Sequence, residues 1–387
     1  MKYFENGKIP IKSWCENPEK EAIDQALNLA NLSFAFRQIC LMPDVHAGYG
    51  MPIGGVIALE NTIIPNAVGV DISCGMLAVK TDLKIENLSI ENLKNILSQI
   101  RETIPVGFNR HRTPQDMSKL ENSQGRNGKI VAQEFDSACK QLGSLGGGNH
   151  FCELQKGNDG HIWFMLHSGS RNIGLKVANY YNQLAKELIK IGKYEASSSN
   201  DLAYFPFDSK EGQEYWNEMI FCMNFAAVSR ELMARRIKEA MYNFTKCDFL
   251  QEINIHHNYA SIENHFKKEV IVHRKGATSA RKGEIGIIPG SQGTASYIVM
   301  GKGNPESFQS CSHGAGRRMG RKFAKKNLNL EEEKQKLDAQ GILHSVRSID
   351  DLDEAPSAYK DISVVIEEQS DLIDIMVELK PLAVVKG

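Results

Sequence analysis

Six short segments each set a reactive side chain among glycine, serine or asparagine. They are Pro43-Asp44-Val45-His46-Ala47-Gly48, Gly69-Val70-Asp71-Ile72-Ser73-Cys74-Gly75, Gly146-Gly147-Gly148-Asn149-His150-Phe151, Leu166-His167-Ser168-Gly169-Ser170-Arg171, Ile255-His256-His257-Asn258 and Ser310-Cys311-Ser312-His313-Gly314-Ala315-Gly316-Arg317. Asp71 and Cys74 stand three residues apart in a glycine-flanked turn. There a carboxylate and a thiolate can face one ion, and the thiolate can bridge two. His150, His167 and His257 would add nitrogen donors. Oxygen, sulfur and nitrogen together suit Zn²⁺, Mn²⁺, Fe²⁺ or Co²⁺ and do not suit Ca²⁺ or Mg²⁺. Taken singly, Asp71 reads as a turn cap, Cys74 as a small buried hydrophobe and each histidine as a structural residue. Their recurrence at glycine-lined turns is what points to a metal site.

His313 is surrounded by small residues that let another group approach closely. A basic helix expected over 314–327 would present Arg317, Arg318 and Arg321 near its start and favour phosphate there. A neutral imidazole facing phosphate can act as nucleophile or as acid–base group. The competing reading is a helix-start histidine beside a solvated basic face. Familiar nucleotide motifs are missing. There is no Gly-x4-Gly-Lys-Ser/Thr loop, Met319 holds the third glycine position of a dinucleotide fingerprint, and no Lys-x-Asp-Gly segment occurs. The basic stretches Arg110–Arg112, Arg274-Lys275, Arg281-Lys282 and Arg317–Lys326 could bind RNA phosphates, though each alone also reads as a solvated face.

The elements that would hold these segments follow from periodicity. Helices are expected over 18–30, 86–101, 130–142, 172–191, 214–244 and 330–340, besides the basic one. Between 41 and 80 dense glycines break short apolar runs, which predicts short strands and tight turns. Further strands are expected at 150–155, 161–166, 252–256, 269–274, 284–288, 295–300, 373–379 and 381–387, with polar loops at 107–128 and 195–213. No repeat, low-complexity tract or linker appears. The pattern predicts one large α+β domain over 1–387, with mixed sheets, flanking helices and glycine-rich loops carrying the polar residues.

Composition excludes several classes. Hydrophobic residues make up 42% and charged residues 24%, ordinary globular values that exclude disorder, coiled coil and collagen. No apolar run approaches the ~18 residues of a membrane span. Met1–Asn6 leads into no signal core, which predicts a cytoplasmic protein. The formal net charge of −1 confines any nucleic-acid contact to a local patch. Eight cysteines without a CxxC pair fit neither a zinc ribbon nor a disulfide scaffold.

Together the segments resemble the RtcB family of tRNA-splicing and RNA-repair ligases. The series PDVHAGYGMPIGG, GVDISCGM, GGGNHF, HSGSR, HHN, HRKGAT, PGSQGTASY, SCSHGAGR, AYKD and VVKG appears in family order from Leu41 to Gly387. The resemblance implies two Mn²⁺ ions, one on Asp71 and His150, the other on His167 and His257, with Cys74 bridging. It implies that His313 becomes guanylylated. Asn149, Glu153, Asn258, Ser296, Tyr359 and Lys386 fall where the family binds GTP, the last three near the guanine. Asp44 falls in a motif held to help activate the attacking hydroxyl. The implied reaction joins an RNA 3′-phosphate or 2′,3′-cyclic phosphate to a 5′-hydroxyl, in tRNA splicing or RNA repair, and admits an accessory activator protein as partner. The alternatives are a metal-dependent cyclic phosphoesterase that does not ligate and a non-catalytic RNA-binding protein.

Overall fold

Hydrophobic runs flanked by glycine form the strands, and a computed structural model, which describes residues 1–386, gathers most of them into two sheets. The first has six strands in the order Lys2–Phe4, Ile11–Ser13, Ala35–His46, Ile53–Leu59, Lys268–Lys275 and Asn258–His265. Ile11–Ser13 runs parallel to Ala35–His46 and the other neighbours are antiparallel. The second has seven strands in the order Phe249–His256, Gly75–Lys84, His161–Ser168, Phe151–Gly157, Ile373–Lys386, Ser296–Gly301 and Ile285–Ile288. Every pair in it is antiparallel. The α+β expectation holds, with one sheet mixed and one not. Gly387, the last residue of the final motif, lies outside the described residues.

Helices cover the second sheet. The longest, Lys210–Thr245, starts at Ser209, whose Oγ accepts from the Gly212 N–H at 3.1 Å. That cap begins the helix four residues before the expected 214. Helix Ile90–Thr103 opens the same way on Ser89 and buries Leu93, Ile96, Leu97 and Ile100 in a core shared with Met233, Ile237 and Met241 of the long helix. No helix among the described residues is long and apolar enough to cross a membrane. The eight cysteines are free and buried.

Two expectations need correcting. The basic helix does not start near 314 but at Arg321. Gly316 adopts φ +71°, and a Cβ there would overlap the Asp44 carbonyl. Its carbonyl accepts from the Lys360 N–H at 2.9 Å, and the Arg318 N–H donates to Ala358 at 3.0 Å. The 314–320 backbone is therefore tied to residues 358–360, and Arg317 belongs to a loop. The segment 41–80 also holds longer strands than expected, Ala35–His46 and Gly75–Lys84 among them.

Strand Asn258–His265 gave no clear signal because its buried positions include charged residues. Glu263 accepts from Arg274 Nη1 at 2.5 Å and Nη2 at 3.2 Å, and pairs with His265 Nε2 at 2.8 Å. Burial alone would raise the Glu263 pKa; the fully buried Arg274 guanidinium and the hydrogen bonds override it and hold the carboxyl well below its usual range. Removing one partner of such a pair strands a buried charge. Arg274→Met is expected to destabilise the protein by about 3–5 kcal/mol. Denaturant unfolding would measure this, and a loss under about 1 kcal/mol would show that the pair is not holding these strands.

Candidate metal and nucleotide site

Antiparallel pairing explains how distant segments meet. Gly75 lies opposite His256 on one side and Ser168 on the other, and His167 lies opposite Phe151. The start of Gly75–Lys84, the ends of Phe249–His256 and His161–Ser168, and the start of Phe151–Gly157 thus share one end of the second sheet. Cys74, His257, His167 and His150 sit at those four termini. Asp71 lies in the turn before Cys74, where Ser73 takes a left-handed φ of 60°. A Cβ on Gly169 would strike the Asp71 carboxylate, so glycine lets the HSGSR loop close over that turn without displacing it.

The donor atoms form a chain with sulfur at its centre. Asp71 Oδ2 is 3.0 Å from His150 Nε2, which is 3.2 Å from Cys74 Sγ. Cys74 Sγ is 3.1 Å from His167 Nε2, which is 3.2 Å from His257 Nε2. One ligand atom from each of Cys74, His150 and His167 lies within 4.8 Å of the others. His167 Nδ1 donates to the Asn149 carbonyl at 3.0 Å, which leaves a lone pair on Nε2 facing the sulfur. Burial, then the neighbouring histidines, push the His167 and His257 pKa values well down, so both rings are neutral and ready to ligate. Burial raises the Asp71 pKa, but the hydrogen bond and charge of His150 outweigh it and keep the carboxylate ionised. Burial and Asp71 raise Cys74, so a cation is what would hold it as thiolate. Converging lone pairs in a buried pocket fit a divalent transition metal.

No sequence signal marked the residue that pins these termini. Arg230 of the long helix is fully buried. Its Nη1 donates to the carbonyls of Ser73 and Ser168 at 3.1 and 2.9 Å, beside Cys74 and His167. Its Nε donates to Asn254 Oδ1 at 2.7 Å, and Nη2 meets His256 Nδ1 at 3.1 Å. Burial lowers its pKa only to about 10, so it stays charged. His256 faces this guanidinium while His257 faces the donors. In retrospect the clue is one arginine on an otherwise apolar helix face, among Phe225, Ala226, Met233 and Ala234.

His313 adjoins the donors, its ring centroid 4.8 Å from that of His257. The resemblance gives Asp44 a part in activating the attacking hydroxyl; in the structure its carboxylate meets His313. Its side chain is fully buried, and Oδ2 accepts from His313 Nδ1 at 2.6 Å, from the His313 N–H at 3.0 Å and from the Gly314 N–H at 3.3 Å. Asp44 therefore orients His313 and leaves Nε2 as its free nitrogen.

One cleft joins His313 to Asn149, Glu153, His167, Arg317, Arg321, Tyr359 and Lys386. Asn258 and Ser296 are not on its wall. Asn258 uses both ends of its amide on backbone, accepting from Gly276 N–H at 2.7 Å and donating to the Asp71 carbonyl at 3.1 Å. Ser296 Oγ accepts from Gly290 N–H and Gln155 Nε2, both at 3.1 Å, behind Glu153. Glu354, which sequence reasoning did not single out, is the cleft's buried anchor. It binds Arg317 at 3.1 Å, Arg321 and Lys386 at 3.2 Å, and the Tyr359 hydroxyl. Burial raises the Glu153 pKa to about 8.

Comparison with known proteins gives a consistent picture. The family model described as tRNA-splicing ligase RtcB matches residues 25–387. The RNA-splicing ligase RtcB of Escherichia coli K12 is 39% identical over 98% of this chain and 97% of its own. The tRNA-splicing ligase RtcB of Thermococcus kodakarensis is 31% identical over 95% of this chain and 92% of its own.

The donor chain and its support yield two measurements. Cobalt-loaded protein is expected to show a near-ultraviolet thiolate-to-cobalt band that Cys74→Ser lacks; a loaded wild type without the band would remove Cys74 from the ligands. Arg230→Met is expected to weaken Co²⁺ binding about 10–100-fold in equilibrium dialysis, because the carbonyls beside two candidate ligands lose their anchor.

Proposed function

The chain belongs to the RtcB family of RNA-splicing ligases, and from that premise we propose that it is a GTP- and Mn²⁺-dependent RNA ligase. It would join an RNA 3′-phosphate, or a 2′,3′-cyclic phosphate first opened by hydrolysis, to a 5′-hydroxyl, in tRNA splicing or RNA repair. A reducing, cytoplasmic setting agrees with eight free cysteines. Asp71, Cys74 and His150 would hold one manganese ion, and Cys74, His167 and His257 the other. When bound, the pair supplies phosphoryl polarisation and charge screening between anionic reactants.

The observation that carries this reading is the 2.6 Å contact between His313 Nδ1 and buried Asp44. With Nδ1–H held by the carboxylate, Nε2 has the lone pair that attacks the α-phosphorus of GTP. An N–P bond forms, the bond from the α-phosphorus to its bridging oxygen breaks, and pyrophosphate leaves. Asp44 offsets the positive charge that develops on the ring. GMP then passes to the RNA 3′-phosphate, and the 5′-hydroxyl displaces it as the strands join. Arg317 and Arg321 border the same cleft and offset nucleotide charge. The adenine ring offers no adjacent N1–H and N2–H donors for a buried carboxylate, whereas guanine does; Glu153 favours GTP for that reason, with Tyr359 and Lys386 beside it. Asn149 completes the wall, and Asn258 and Ser296 support the site from behind.

Incubation with GTP labelled at the α-phosphate and Mn²⁺ is expected to leave an acid-labile label on the denatured protein, absent in His313→Ala. No label on metal-loaded wild type would overturn the ligase reading and favour the phosphoesterase. A second expectation concerns pH. Glu153 must be ionised to accept guanine, and its pKa is about 8 before nucleotide binds. GTP affinity should therefore rise as pH increases from 6.5 towards 8, by up to roughly tenfold per unit. Glu153→Gln should bind weakly with a flat profile; an unchanged slope would remove Glu153 from base recognition.

A further inference from the structure

A second cleft opens at the other end of the donor chain. Asp71 and His150 face it, together with Arg171, Phe108, Val70 and Leu175. The last three are large hydrophobics left exposed, at 107% for Phe108, 47% for Val70 and 40% for Leu175. Their grouping beside a buried polar site is unlike the scattered exposure ordinary for a surface.

The backbone on either side of Phe108 is held in place. Arg171 Nη2 donates to the carbonyls on either side of it, Gly107 at 2.8 Å and Asn109 at 3.3 Å. Arg171 itself has a left-handed φ of 56°, and its buried Nε has no protein partner. The Asn109 N–H donates to Val106, which bridges to Leu145. A bracketed backbone thus presents a bare aromatic ring, with Arg110 and Arg112 exposed just beyond it. An aromatic face flanked by cations is what a nucleobase and its phosphates require.

Phosphoryl transfer decides which base. Attacking and leaving oxygens lie roughly in line across phosphorus. GMP leaves on the His313 side, so the hydroxyl must arrive from the Asp71–His150 end, where this cleft lies. We propose that Phe108, with Val70 and Leu175, forms the stacking wall for the terminal nucleoside of the RNA strand that bears the 5′-hydroxyl. This rests on the ligase reading above and adds a substrate-positioning residue to it.

A 5′-hydroxyl oligonucleotide with 2-aminopurine as its first base tests this by binding alone, on the metal-loaded protein. Wild type is expected to quench the fluorescence, Phe108→Ala to lose the quench, and Phe108→Trp to restore it. In ligation, Phe108→Ala should raise KM for the 5′-hydroxyl strand roughly tenfold or more with a much smaller change in kcat, and Phe108→Trp should recover it. Thermal melting of each variant reports its fold. Equal quenching and equal KM in Phe108→Ala overturn the proposal while leaving the ligase reading intact. Quenching only of a 2-aminopurine at the 3′-phosphate end overturns the assignment to the 5′-hydroxyl strand. A wild type that forms neither adduct nor joint overturns the ligase reading, and the quench still decides whether Phe108 stacks a base.

Discussion

A slip of one residue in any of three strand ladders would turn one of the converging donor side chains to the wrong face of the sheet. The pairs Gly75 with His256, Gly75 with Ser168, and Phe151 with His167 set those ladders. Because neighbouring strands alternate direction, chain starts and chain ends gather at one edge, and residues 74, 150, 167 and 257 become neighbours. The apolar strand interiors enforce the register. Leu77, Val79, Cys152, Leu154, Phe164 and Leu166 fill one core with the long helix, and Met76, Ala78, Trp163 and Met165 fill another on the opposite face.

Hydrophobic packing alone would leave the turn carbonyls at that edge unpaired. Arg230 supplies their donors, and in doing so places a permanent charge beneath the site. A buried cation is costly unless its hydrogen bonds are made, and here each guanidinium nitrogen has a partner. The other sheet holds its own buried pair, Glu263 and Arg274, beside the strand that leads towards His313 through Ala277–Ser279 and Ser310–Ser312. Both arrangements exchange stability for placement: they fix where irregular backbone goes, which apolar contacts do poorly.

The chemistry occupies the seam between the sheets. Donors come from the edge of the all-antiparallel sheet, while Asp44 comes from the mixed sheet and His313 from the short ladder attached to it. His257 is where the chain crosses over, between the end of Phe249–His256 in one sheet and the start of Asn258–His265 in the other. The two clefts reach the donor chain from opposite ends, one through His167 and one through Asp71 and His150. Glu354 organises one by gathering Arg317, Arg321, Tyr359 and Lys386. Arg171 organises the other by gripping the loop that carries Phe108.

Much of this was legible in the chain. Residue type and local spacing marked Asp71, Cys74, His150, His167, His257 and His313, because thiolate, imidazole and glycine-lined turns are chemically distinctive wherever they fold. Periodicity marked the long helices and several strands of the second sheet to within a few residues. Local pattern erred where tertiary contacts decide: arginines 317 and 318 resemble a helix start, yet the backbone is bound to residues 358–360 instead. It could not separate Asn258 and Ser296, which brace the site, from Glu153 and Tyr359, which face the cleft, since facing depends on neighbours far along the chain. Nor could it find Arg230, Glu354 or Phe108, whose roles come from burial or exposure rather than type. The sequence by itself determined which atoms are available for metal and phosphate chemistry. Only the tertiary structure decided which of them meet, because strand register and buried hydrogen bonds join positions more than a hundred residues apart, as they do Asp44 and His313.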